Sequence, residues 1–103
     1  MQIQISGRHL TVTEQMDRHI REQIAKLPPF AEKTQHIDVT LTADSGTQVV
    51  EIAARIGRAD LVAQASSHDM YHSIDEAFAK MERQLVRQHD KLVRGRAREG
   101  QKE

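Results

Sequence analysis

Apolar and polar residues alternate at the start of the chain and recur every three or four positions near its end. These two periods divide it into strands and helices. Gln2-Ile3-Gln4-Ile5-Ser6 alternates, which predicts a short half-buried strand ended by Gly7. Val12-Thr13-Glu14 opens a helix, with Thr13 or Thr11 as its cap. Met16, Ile20, Ile24 and Leu27 form one apolar helical face, and Pro28-Pro29 stops the helix. Ile37, Val39 and Leu41 alternate with Asp38, Thr40 and Thr42, a second strand with one buried face. Asp44-Ser45-Gly46-Thr47 is a turn, Val50, Ile52, Ala54 and Ile56 mark a third strand, and Gly57-Arg58 is a tight reversal. Leu61, Ala63 and Ala65 continue a fourth. Asp69 then caps a long helix whose stripe is Tyr71, Ile74, Phe78, Met81 and Leu85, running to about Arg94.

The order β-α-β-β-β-α gives each strand one apolar face and each helix one apolar stripe. The fold class is therefore α+β, with both helices packed on one face of a four-stranded sheet. Short turns make the last three strands an antiparallel meander. The strand–helix–strand crossover makes the first two parallel and right-handed. Residues 1–94 form one domain, and residues 95–103 are expected to be a short flexible basic tail.

Composition narrows the function classes. The 103 residues are 38% hydrophobic, enough for a single core layer. No apolar run is long enough to span a membrane, and the first residues lack a signal-peptide pattern. The chain has no cysteine, which excludes disulfides, thiolate nucleophiles and Cys-based zinc sites and fits a cytoplasmic protein. No Gly-rich phosphate loop, activated nucleophile or HExxH motif is present, so neither an enzyme nor a small-molecule substrate is expected. No cofactor is expected either. His68 and His72 have a metal-chelating spacing, but His68 precedes the helix and no third ligand is near, so no metal is expected. The six histidines would add positive charge as pH falls.

Net charge is zero, yet its distribution is uneven. Residues 1–79 carry seven Lys/Arg and eleven Asp/Glu, net −4, whereas residues 80–98 carry seven bases and two acids, net +5. With Phe78 at 0° and about 100° per residue, the apolar stripe lies at roughly −60° to +20°. Lys80, Arg83, Arg87, Lys91 and Arg94 lie at roughly 140° to 220°, one ridge about 20 Å long. Such a ridge can meet several phosphates, although bases on an outer helical face, near its C-terminus, are also ordinary solvation. Arg18 and Arg21 lie off the stripe of the first helix. Aromatic content is 3%, so base stacking on a sheet platform is not expected, and binding would be to phosphate and shape.

Ala65-Ser66-Ser67-His68-Asp69-Met70-Tyr71-His72-Ser73-Ile74-Asp75 resembles a signature of the bacterial ribosome hibernation-promoting factors. That family includes the ribosome-associated inhibitor (factor Y) and is often called the sigma-54 modulation proteins. Lys80-Met81-Glu82-Arg83-Gln84-Leu85-Val86-Arg87-Gln88-His89-Asp90-Lys91-Leu92 resembles the family's basic helix. Ile5-Ser6-Gly7-Arg8, and Val12-Thr13-Glu14 leading to Lys26-Leu27, match as well, so the resemblance covers about residues 1–92.

The resemblance implies a fold similar to a double-stranded-RNA-binding domain. It implies binding to the small ribosomal subunit, on 16S rRNA near the decoding centre, where messenger RNA and tRNA are blocked during stress or stationary phase. Ribosome dimers formed with a separate modulation factor are a further implied partner. It points to Lys80, Arg83, Arg87 and Lys91 as rRNA-binding, with Arg94, Arg18, Arg21, Lys26 and Arg8 beside them. The length and the Arg-rich tail resemble the short, promoting form more than the inhibitor-type paralogue. Zero net charge, Gln88 and His89 depart from the pattern. Asp69 and Tyr71 belong to the signature but read first as a helix cap and a core aromatic, and Asp75 as a partner for a basic residue or, more often, a complement to the helix N-terminus. The rivals are an interaction module for sigma-54-dependent transcription and a binder of free duplex RNA.

Overall fold

The computed structural model describes residues 1–28 and 34–101, with side chains as far as Lys91. The elements are β1 (Gln2–Arg8), α1 (Glu14–Ala25), β2 (Thr34–Asp44), β3 (Thr47–Ile56), β4 (Ala59–Ser67) and α2 (Met70–Gln101). The sheet order is β1-β2-β3-β4, with β1 parallel to β2 and the other pairs antiparallel. Both tight turns are built for their hairpins. Ser45 and Gly46 have φ of 48° and 83°, as a two-residue turn between Asp44 and Thr47 needs, and Gly57 has φ 62°.

Ile37, Val39, Leu41, Val50, Ile52, Ala63 and Ala65 alternate inward from the three central and edge strands. They meet Met70, Ile74, Ala77, Phe78, Met81 and Leu85 of α2 and Ile20 of α1 in one core cluster. α2 lies across β3 and β4 and touches α1 along its side. The outward residues of the strands leave the opposite sheet face uncovered.

Three local expectations change. Gly7 does not end β1 but lies within it, because a Cβ there would stand 2.5 Å from the Leu10 carbonyl oxygen. α1 stops at Ala25, before Pro28, and Lys26 caps it by donating to the carbonyls of Glu22 and Gln23. A residue preceding proline avoids helical backbone, so the turn tightens early. α2 does not end near Arg94 but continues to Gln101, since Arg96, Ala97, Arg98 and Glu99 are good helix formers flanking two tolerated glycines. Residues 102–103 of the expected tail, and Pro29, lie outside the described residues.

Candidate nucleic-acid interface

Thr13 is the cap of α1: its Oγ1 accepts from the Met16 N–H at 3.1 Å. Asp69 caps α2, its Oδ1 accepting from the Tyr71 N–H at 3.2 Å. Ser73, fully buried, donates from its hydroxyl to the Gln48 carbonyl at 2.7 Å and so ties the first turn of α2 to β3. These contacts fix the rotation of α2, and with it the direction of every side chain farther along.

That rotation differs slightly from the expected one. Met70, 5% exposed, occupies the core position assigned to Tyr71, which is half-buried at the boundary between the helices. The buried sector includes Ala77 and Ser73, and its centre lies roughly 40° from the expected stripe at 100° per residue. Tyr71 falls on the flank of that sector. Arg83, Arg87 and Lys91 remain exposed on the outer side, with no ion pair to any described residue. Lys80 leans the other way. Its Nζ donates to the Gln64 carbonyl at 2.9 Å, and Gln84 Nε2 donates to the Val62 carbonyl at 2.6 Å. Both acceptors belong to β4, an edge strand, whose open carbonyls are thereby covered. The side chain of Arg94 lies outside the described residues.

The bases of α1 are spread along its exposed side. Arg18 lines a hollow between the helices with Gln15, His19, Glu22 and Tyr71. Lys26 lines the continuation of that seam with Gln23, Leu27, Asp75, Phe78 and Glu82. Arg21 donates from Nε to Asp17 Oδ2 at 2.9 Å, and with Arg18 and Glu22 it lines a groove beside β1 next to Ile5 and Val12. Arg8 pairs in register with Thr42, in phase with Gln4 and Ser6 on the uncovered sheet face. The exposed cations of the two helices are thus Arg18, Arg21, Lys26, Arg83, Arg87 and Lys91, with the acids Glu22, Glu82 and Asp90 among them.

A contact that periodicity did not foresee closes the seam. Asp75 Oδ1 lies 2.6 Å from His19 Nε2 and accepts from Gln23 Nε2 at 3.1 Å. An ionised carboxylate only accepts, so the ring nitrogen donates. The His19 and Tyr71 rings meet edge to face, 5.3 Å between centroids. Only the i, i+4 spacing of His19 and Gln23 signalled a shared face. His36 and His72 also face carboxylates, Asp38 at 2.7 Å and Glu76 at 3.7 Å. Among the described residues, no cluster of His, Asp and Glu has the makings of a metal site, and no helix is long and apolar enough to cross a membrane.

A family profile described as sigma 54 modulation protein / S30EA ribosomal protein matches residues 3–93. The chain belongs to this family. It is 32% identical over 100 residues to a ribosome hibernation promoting factor of Pseudomonas putida, covering 94% of this chain and 98% of that one. It is 31% identical over 93 residues to the factor of that name from Azotobacter vinelandii, covering 90% and 87%. The same fold is seen in a ribosomal subunit interface protein from Coxiella burnetii, with TM-score 0.84, 21% identity and 87% and 99% of the two chains covered. The Thermus thermophilus Protein Y N-terminal domain also shares it, with TM-score 0.73, 21% identity and coverage of 84% and 98%. The S30EA family match spans every strand and both helix starts. The fold expected from periodicity is therefore also the family's fold.

Proposed function

We propose that this protein is a ribosome hibernation factor that binds the small ribosomal subunit through the helical face and represses translation by occupancy. The observation that carries the reading is the exposed set Arg83, Arg87 and Lys91 on α2, which lines one groove and makes no ion pair to a described residue, with Arg18 and Lys26 of α1 along the seam between the helices. It is supported by membership of the S30EA family and by relatives named ribosome hibernation promoting factor at 28–32% identity. The ligand is 16S rRNA near the decoding centre, where the bound protein excludes messenger RNA and tRNA. Those relatives' names speak of promoting hibernation, which favours a promoting over an inhibitor-type role; ribosome dimers formed with a separate modulation factor are part of the same proposal. By its spacing in the sequence Arg94 is a further member of this set. Lys80 contributes charge from the β4 edge, Arg21 stands beside Arg18 on α1, and Arg8 lies on the uncovered sheet face.

Co-sedimentation with purified small subunits across a salt series tests this. Saturable binding near one per subunit, weakening steeply with salt, is expected. A protein interface, as sigma-54 modulation would require, leaves affinity nearly flat with salt. Equal affinity for isolated duplex RNA would instead favour a free-duplex binder.

A further inference from the structure

The stretch Asp69 to Asp75 supplies four separate anchors for α2, and its last residue is turned toward α1. α2 buries Met70, Ile74, Ala77, Phe78, Met81 and Leu85 and ties Ser73 to β3, so its place is fixed without any help from α1. α1 has one buried residue, Ile20, with Met16, Ile24 and Leu27 only partly covered. One buried side chain sets where a helix touches but resists rolling about its axis weakly. Polar contacts at the seam supply that resistance. Donors from two successive turns of α1, His19 and Gln23, converge on the single oxygen Asp75 Oδ1. Tyr71 meets the His19 ring one turn earlier. Rolling or sliding α1 breaks at least one of these contacts.

Charge gives the second argument. Asp75 is 53% exposed at its side chain and stands beside a surface read as RNA-binding. A carboxylate there repels phosphates. Its position is accounted for if its partner is α1 rather than solvent.

We infer that Asp75, with Tyr71, is a positioning residue that holds α1 and α2 at one separation and roll, so that Arg18 and Lys26 meet the same RNA as Arg83 and Arg87. This rests on the reading of the helical face as the RNA-binding surface. Preset spacing of the two groups removes the cost of ordering them on binding. Loss of Asp75 therefore weakens binding through the α1 bases and through no others.

A double-mutant cycle separates this from simple destabilisation. Asp75→Ala is made in the natural chain and in an Arg18→Ala/Lys26→Ala background, with folding of each checked by circular dichroism. Affinity for small ribosomal subunits is measured at one fixed salt concentration. Asp75→Ala is expected to weaken binding about 5- to 10-fold in the natural chain and less than about twofold in the background lacking the α1 bases. Asp75→Asn keeps an acceptor oxygen for both donors and is expected to bind within about twofold of the natural chain. Gln23→Ala removes one donor without touching α2 and completes the same cycle if Asp75→Ala does not fold. Equal losses in both backgrounds, or no loss in the natural chain, would overturn the positioning role. Failure of the natural chain itself to bind would refute the RNA-binding reading first, and the positioning role with it.

Discussion

Replacing Arg83, Arg87 and Lys91 together by Gln removes three exposed cations from the outer side of α2. Gln keeps helix propensity and adds no repulsive charge, and exposed substitutions of this kind change stability by about 0.5 kcal/mol or less each. The effect on binding follows from counterion release. At about 0.7–0.9 per phosphate contact, three lost contacts flatten the slope of log affinity against log salt by about 2.1–2.7. Referred to 1 M salt, where this contribution vanishes, that corresponds to about 50- to 170-fold weaker binding at 0.15 M. At 0.05 M the same slope change amounts to a loss of about 500- to 3000-fold. The variant should therefore approach the natural chain as salt rises. The assay is fluorescence anisotropy or co-sedimentation with small ribosomal subunits at four or more salt concentrations, with circular dichroism to confirm the fold. An unchanged slope in a folded triple variant would remove these residues from the interface. A uniform loss at all salts would mean that they act by shape rather than charge.

The remaining predictions concern the frame that holds this face. Gly7→Ala places a Cβ against the Leu10 carbonyl, 2.5 Å away, and is expected to destabilise by about 1–3 kcal/mol, read as a lower urea midpoint at constant m. Asp69→Ala removes the acceptor for the Tyr71 N–H and should cost about 1 kcal/mol, with Asp69→Asn close to neutral in thermal unfolding. Leu85→Ala empties a fully buried site at the last core turn of α2 and should cost about 2–5 kcal/mol, a large share of the stability of a domain this size.

Much of this architecture was legible because periodicity reports which face of an element is buried. The strand residues Ile37, Val39, Leu41, Val50, Ile52, Ala63 and Ala65 were all assigned inward by alternation, and all are buried. The parallel β1–β2 pair followed from the crossover helix. What periodicity does not report is which neighbour flanks a stripe. Tyr71 was placed in the core because its spacing fits, but α1 packs on that flank and Met70 takes the buried site instead. Lys80 belongs to the basic sector by angle, yet α2 lies over the edge of the sheet, and the open carbonyl of Gln64 captures its amine. Arg18 and Arg21 both lie off the stripe of α1 and share a groove, but the pairing of Arg21 with Asp17 depends on a side-chain rotamer that periodicity does not report. The fate of Gly7 depended on the Leu10 carbonyl, a backbone approach that no side-chain pattern encodes.

Zero net charge looked unfavourable for an RNA-binding protein, and the fold removes the difficulty. At 0.15 M salt, charges are screened over about 8 Å, so a phosphate at the α2 surface responds to the bases within that distance rather than to the whole chain. The acids are spread over both sides, with Glu22, Asp75, Glu82 and Asp90 among the helical bases. Asp38, Glu51 and Asp60 alternate outward on the uncovered sheet face, opposite the helices, where only Arg8, Arg55 and His36 accompany them. Charge is thus mixed on both sides of the molecule, and the bases form a local cluster along the outer face of α2. Under the proposed function, long-range attraction to nucleic acid is weak because the charges cancel at a distance. Binding gains strength only where an RNA surface presents several phosphates at the spacing of the exposed bases and within their screening length. A neutral protein with this distribution discriminates a folded rRNA surface from extended nucleic acid better than a uniformly basic one, which would be held by either.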